Sequence, residues 1–183
     1  MIENKTTLKE YLEADNRDFY MKSKKERLIS RLCRYPEYSI MLFKKYLRYS
    51  EYYFNTCGCN KFRFFMALWY ERKKNILGEK IGIEIEPNCF GKGLTLFHGG
   101  NIVVNPLVRA GDNCALHGGN CIGNNGKTKH TPRLGNNVDV GFQACIIGDV
   151  DIADDIKIGS GAVVVKSCKT VGATLVGIPA KEI

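Results

Sequence analysis

The chain has 183 residues, 44% of them hydrophobic and 25% charged, with a net charge of +8 at pH 7. That is chain enough for one domain with a real core plus an appendage, in the proportions of an ordinary globular protein. The opening stretch "MIENKTTLKEYLEADNRDF" is polar and carries no export signal, and the longest aromatic–aliphatic run, Phe64 to Tyr70, is too short to span a bilayer, so the expectation is a cytoplasmic protein, soluble or peripheral.

The composition breaks near residue 80. Residues 1–80 hold 16 of the 19 aromatics and only two of the 19 glycines. They also carry 18 Lys and Arg against 10 Asp and Glu, whereas residues 81–183 have nine of each, so the whole +8 belongs to the first part. That part reads as an α-helical N-terminal domain, 1–80. Thr7 to Glu10, "TLKE", fits a capping box at the head of a first helix. Pro36 divides "DFYMKSKKERLISRLCRY" from "EYSIMLFKKYLRYSEYYF", and a further helix is predicted over Lys61 to Ile76. Two readings of this basic, aromatic head stand side by side. It is a cap whose aromatics pack on the second domain and on a partner subunit, or a basic amphipathic surface drawn to the anionic inner face of a membrane. No nucleic-acid recognition motif accompanies the charge, so no nucleic acid is expected as a partner.

Residues 81–183 keep a six-residue period. Val104, Ala110, Leu116 and Ile122 fall in one column, continued by Leu134, Val140, Ile146, Ile152, Ile158 and Val164 after one double step. Four positions on, small or β-branched residues recur at Val108, Cys114, Val138, Ala144, Val150 and Ala162. A hexad suits neither a helix nor a half-buried strand. It suits a β-solenoid in which three hexads close one triangular coil and both columns point inward. The period breaks twice. Phe90 and Leu96 keep the six-step two residues out of phase with Val104, so two residues are inserted beside His98 in "GLTLFHGGNIVVN". The polar "NNGKTKHTPR", Asn124 to Arg133, spans the double step and reads as a loop thrown out from a coil edge, where function often sits. The eight cysteines include no CxxC pair and read as reduced, mostly buried thiols, with no metal expected.

Hexads ending in "IGSGAVVVK" and followed by "VGIPAKEI" resemble the hexapeptide-repeat acyltransferases, in the branch of serine O-acetyltransferases and surface-polysaccharide O-acetyltransferases. The resemblance covers about residues 81–183. It implies a mainly β fold, a left-handed parallel β-helix behind the small helical domain, a homotrimer, and acetyl-CoA in a groove between subunits. His98 in "LFHGGN" stands where the family has its general base, and Glu84 in "GIEIEP" where it has an acid that steadies that base. His130 in "TKHTP" approximates a loop histidine of the family. The segments that meet the cofactor map to Phe142, Ser160, Gly161, Ala162, Val165, Lys166 and Lys181.

The chemistry suits these residue types. A hydroxyl is a poor nucleophile near neutral pH, so a base must take its proton as it attacks the thioester, and imidazole is suited to that work. A carboxylate on the other ring nitrogen fixes the tautomer. Backbone N–H groups at the glycine-rich turn, or His130, would meet the oxyanion. The plainer alternatives are a structural histidine at a solenoid corner for His98 and a solvated side chain for Glu84. His117 in "ALHGGN" either faces the same cleft or merely occupies a strand.

For the acceptor the resemblance divides. Serine acetyltransferases have aspartate before the catalytic histidine and arginine before the loop histidine, where this chain has Phe97 and Lys129. Lysine offers a point charge without the bidentate fork. The first expectation is therefore a sugar hydroxyl in surface-polysaccharide biosynthesis, with serine as the alternative and a non-catalytic trimeric scaffold as a further one.

Overall fold

The computed structural model describes residues 1–183. Five helices come first: α1 Lys5–Asp15, α2 Arg17–Met21, α3 Lys24–Leu32, α4 Pro36–Thr56 and α5 Lys61–Ile81. α1 starts earlier than "TLKE" suggests. Asn4 is its N-cap and accepts from the Thr7 N–H at 2.9 Å, so Thr7 lies inside the helix. The capping box is instead "SKKE": Ser23 and Glu26 satisfy each other's backbone N–H groups and open α3. This cap splits the segment before Pro36 into α2 and α3. Pro36 itself takes the first turn of α4, where a missing N–H costs nothing. α5 runs past Ile76 to Ile81 and stops at Gly82, whose φ of 67° makes the left-handed cap.

The strands wind into a three-faced parallel solenoid. Face one stacks β1 Ile83–Glu84, β3 Ile102–Val104, β6 Cys121–Gly123, β9 Cys145–Ile147 and β12 Val163–Val164. Face two stacks β4 Arg109–Ala110, β7 Arg133–Leu134 and β10 Asp151–Ile152, extended by bridges to Phe90 and Cys168. Face three stacks β2 Thr95–Leu96, β5 Ala115–Leu116, β8 Asp139–Val140, β11 Lys157–Ile158 and β13 Thr174–Gly177, and closes with the antiparallel β14 Ala180–Glu182.

Both hexad columns point inward. Nine of the ten residues in the first column are buried, Ala110 packs against them, and all six of the second are buried. The phase breaks lie where the sequence puts them. Leu96 pairs with Leu116, twenty residues on, while Val103 pairs with Cys121, eighteen on. The pairing Cys121↔Cys145 then spans twenty-four, with residues 124–132 looped out without regular structure.

The corner between faces two and three is turned by Asn113, Asn137 and Asp155, at φ 57°, 55° and 61°. Their side chains form a ladder, Asn113 Nδ2 to Asn137 Oδ1 at 3.1 Å and Asn137 Nδ2 to Asp155 Oδ1 at 2.8 Å. Asparagine and aspartate tolerate the left-handed region because their short polar side chains bond locally.

The helices close the open lower end of the solenoid. Ile40, Phe43 and Leu47 of α4 join the solenoid core. Around them runs a buried polar clip. Arg48 bonds Asp15 (2.7 Å) and Glu51 (2.9 Å) and donates to the carbonyls of Phe90 and Gly91 in the first coil. Asp15 in turn accepts from the N–H groups of Gly93 and Leu94. Lys44 donates to the Asp15 and Leu94 carbonyls, and Lys74 to that of Ile85 at 2.9 Å. Aromatics of the head pack among themselves: Tyr70 stacks on Tyr49 at 4.8 Å and on Tyr53 at 5.6 Å. No helix is long and apolar enough to cross a membrane.

Candidate functional site

His98 follows β2, in the two-residue insertion at the corner between faces three and one. The turn is fixed from below and above. Its Gly100 N–H donates to the Ile81 carbonyl, the last residue of α5, at 2.7 Å. A Cβ on Gly99 would come within 2.5 Å of that same oxygen, which is why glycine follows the histidine. Above, the Gly100 carbonyl accepts from Gly119 at 2.9 Å. The next coil is held by the buried Asn120, which accepts from Gly118 N–H and donates to the carbonyls of Gly141 and Ala144. The end of the helical head thus positions the histidine.

His98 is exposed and has no side-chain hydrogen bond within the chain. Above it stands Gly118 at φ 119°; a Cβ there would lie 3.6 Å from the His98 Cβ and 3.4 Å from the Phe142 ring. Ser160 is the next residue of that column, and the Gly161 N–H donates to the Phe142 carbonyl at 2.8 Å. One corner therefore carries His98, Phe142, Ser160 and Gly161 in a rising line with a glycine gap. In the turn, the amides of Gly100, Gly118 and Gly119 are spent, leaving those of His98 and Gly99 without a partner in the chain.

Phe97 and His117 form the adjacent column, rings 4.3 Å apart. His117 Nε2 lies 2.8 Å from Asp139 Oδ1 on face three, a carboxylate that the hexad pattern alone does not mark as a partner. The register was the only signal for it: Asp139 sits one coil above Ala115, beside the histidine. Glu84 makes no side-chain hydrogen bond and shares none with His98. It lines an 850 Å³ cleft between α5 and face one, with Arg72, Ile76 and Val103. Nearby, Glu86 is raised above the ordinary carboxylate range by burial, with Lys74 opposing.

The remaining candidates lie across face one. Lys129 and His130 sit on the loop at the far corner, beside Arg109 and Arg133 in a hollow of 550 Å³. The His130–Asp149 pair is exposed and 3.9 Å long. Val165 and Lys166 follow β12 at that same corner and are exposed, as is Lys181 on β14. Ala162 points into the core at 1% exposure, so only its backbone can meet a ligand. Of the three outer faces, face one is the apolar one, presenting Val103, Cys121, Cys145 and Val163 in one column.

Neisseria gonorrhoeae serine acetyltransferase superposes with a TM-score of 0.67 at 25% identity, over 98% of this chain and 68% of that one. Its fold is that of the hexapeptide-repeat acyltransferases. The hand of the helix is therefore left, as the resemblance implies. A Brucella abortus serine acetyltransferase, solved in complex with coenzyme A, gives a TM-score of 0.67 at 22% identity, over 97% of this chain and 66% of that one. In sequence, 105 residues, 56% of this chain, are 41% identical to a serine acetyltransferase of Helicobacter pylori. The chain spans 61% of the length of that curated relative. No family model matches.

Proposed function

We propose that the protein is an acetyl-CoA-dependent O-acetyltransferase that works by direct transfer. The observation that carries this is the solvent-open, unpartnered His98 ring, held between a helix end and a glycine gap in line with Phe142 and Ser160. Its basic ring nitrogen can take the proton of an acceptor hydroxyl as the oxygen attacks the thioester carbonyl, and return it to the coenzyme A sulfur as the carbon–sulfur bond breaks. The unpartnered amides of His98 and Gly99 are placed to meet the oxyanion. Phe142, Ser160 and Gly161 would carry the pantetheine arm, and Lys166 and Lys181 the phosphates. Glu84 would steady the imidazole, as the resemblance implies, although its side chain lines the α5 cleft.

We take the working unit to be a homotrimer. His98 and the loop carrying Lys129 and His130 stand at opposite edges of face one, so a site containing both takes residues from two copies. The apolar column on face one supports packing of a second copy there. The basic head would hold the assembly against the anionic inner face of a membrane.

Serine is the first acceptor reading, because the similar proteins named above are serine acetyltransferases; this reverses the order expected from sequence. A sugar hydroxyl is the second, and Phe97 favours it: a ring tilted 31° against that of His117 gives an aromatic surface where a charged contact to an ammonium group would be needed. The test is thiol release from acetyl-CoA with serine, then with sugars and nucleotide sugars. Release with serine supports the first reading; release with sugars alone supports the second. No release, with no coenzyme A binding, leaves a scaffold. His98→Ala should lower turnover by about 10²- to 10⁴-fold while coenzyme A still binds.

A further inference from the structure

We propose that α3 is the element of the head that enters an anionic lipid bilayer, lying flat in the headgroup layer with Leu28, Ile29 and Leu32 toward the acyl chains. This rests on the membrane reading of the head and names the surface that makes the contact.

α3 is formed before any partner arrives, because Ser23 and Glu26 complete its capping box. Yet of its nine residues only Ser30 is buried, against Glu37. Leu28 and Leu32, one turn apart, are 55% and 72% exposed, with Ile29 beside them and Met21 just ahead at 79%. An apolar helical face turned to water needs an occupant. The adjoining side carries Lys24, Arg27 and Arg31 at the same helical spacing, while Lys25 projects from the apolar side itself and Arg34 follows the helix. The one carboxylate, Glu26, is already committed to the Ser23 N–H at 2.8 Å.

That charge pattern selects the occupant. A second copy docking its own α3 would set five cations against five with no free acid between them. A bilayer bearing acidic headgroups supplies both what the apolar side lacks and what the basic side attracts, the arrangement of interfacial helices.

The experiment is co-sedimentation of the full chain with phosphatidylcholine vesicles containing none, or about 30%, phosphatidylserine, at low and high salt. The wild type should bind the anionic vesicles and be released by salt. Leu28→Ser with Leu32→Ser should weaken partitioning about a hundredfold, at roughly tenfold per half-buried side chain. Lys24→Gln with Arg27→Gln and Arg31→Gln should do the same, at roughly fivefold per charge. Both variants should keep acetyl transfer to a soluble acceptor. If the wild type binds no vesicles, the membrane reading falls and this proposal with it. If the wild type binds and both variants bind equally well, another part of the head makes the contact and α3 is overturned alone. If the leucine variant instead lowers the molecular mass by light scattering, α3 is a subunit contact and the proposal fails.

Discussion

Replacing Arg48 by methionine should loosen the helical head from the first coil. The guanidinium is fully buried and serves two carboxylates and two carbonyls, those of Phe90 and Gly91. Methionine fills much of its volume but donates nothing. Asp15 would keep its bonds from Gly93 and Leu94 and Glu51 its bond from Asn88, yet two buried negative charges would lose their counterion. Breaking a buried ion pair from one side costs about 3–5 kcal/mol. The two carbonyls left unpaired add about 1 kcal/mol each. The sum, about 5–7 kcal/mol, is comparable to the whole stability of many domains. At about 2–4 °C per kcal/mol for a chain of this size, Tm should fall by about 10–28 °C in a circular-dichroism melt. Adding Asp15→Asn and Glu51→Gln to the same chain should recover at least half of the loss, because the amides remain acceptors without charge. A single Arg48→Met variant that melts within about 3 °C of the wild type would refute the tether.

Gly99→Ala should leave the solenoid folded but push the His98 turn off the Ile81 carbonyl, lowering acetyl transfer at least about tenfold, since small displacements at a reacting group cost rate steeply. Burial holds the Lys44 ammonium down to about 8 from an ordinary 10.5, with Asp15 opposing. The unfolded chain therefore binds more protons between those values, and stability should rise with pH across that window by at most about 3 kcal/mol. Lys44→Met should flatten the rise in denaturant titrations at stepped pH. Burial likewise pushes the Cys89 and Cys114 thiols up to about 11, so both should resist a thiol reagent at pH 8 in the folded protein and react once it is unfolded.

The solenoid was legible because its core is written locally: Val104 to Val164 recur every six residues, and each lands inside. The two phase breaks were legible for the same reason. The hand was not, since the usual right-handed crossover preference argues the other way, and only the resemblance supplied it. The α3 cap was missed because Ser23 and Glu26 lie inside a run of lysines that masks the box. The surroundings of the candidate site were harder still. The contact of His117 with Asp139 depends on the coil register, and the pinning of Gly100 on Ile81 depends on how a helix end meets a strand end. Neither is a spacing within one element.

The Asn113–Asn137–Asp155 ladder at the corner of faces two and three marks one step per coil, whatever the length of that coil. Between Arg133 and Asp151 one full turn is eighteen residues, and each turn lifts the chain by one strand spacing, about 4.8 Å. Excising one such turn above the loop would lower the C-terminal hairpin by that increment and leave the histidine below untouched. The height from that histidine to the top of the prism can therefore be cut only in whole steps, as on a ratchet.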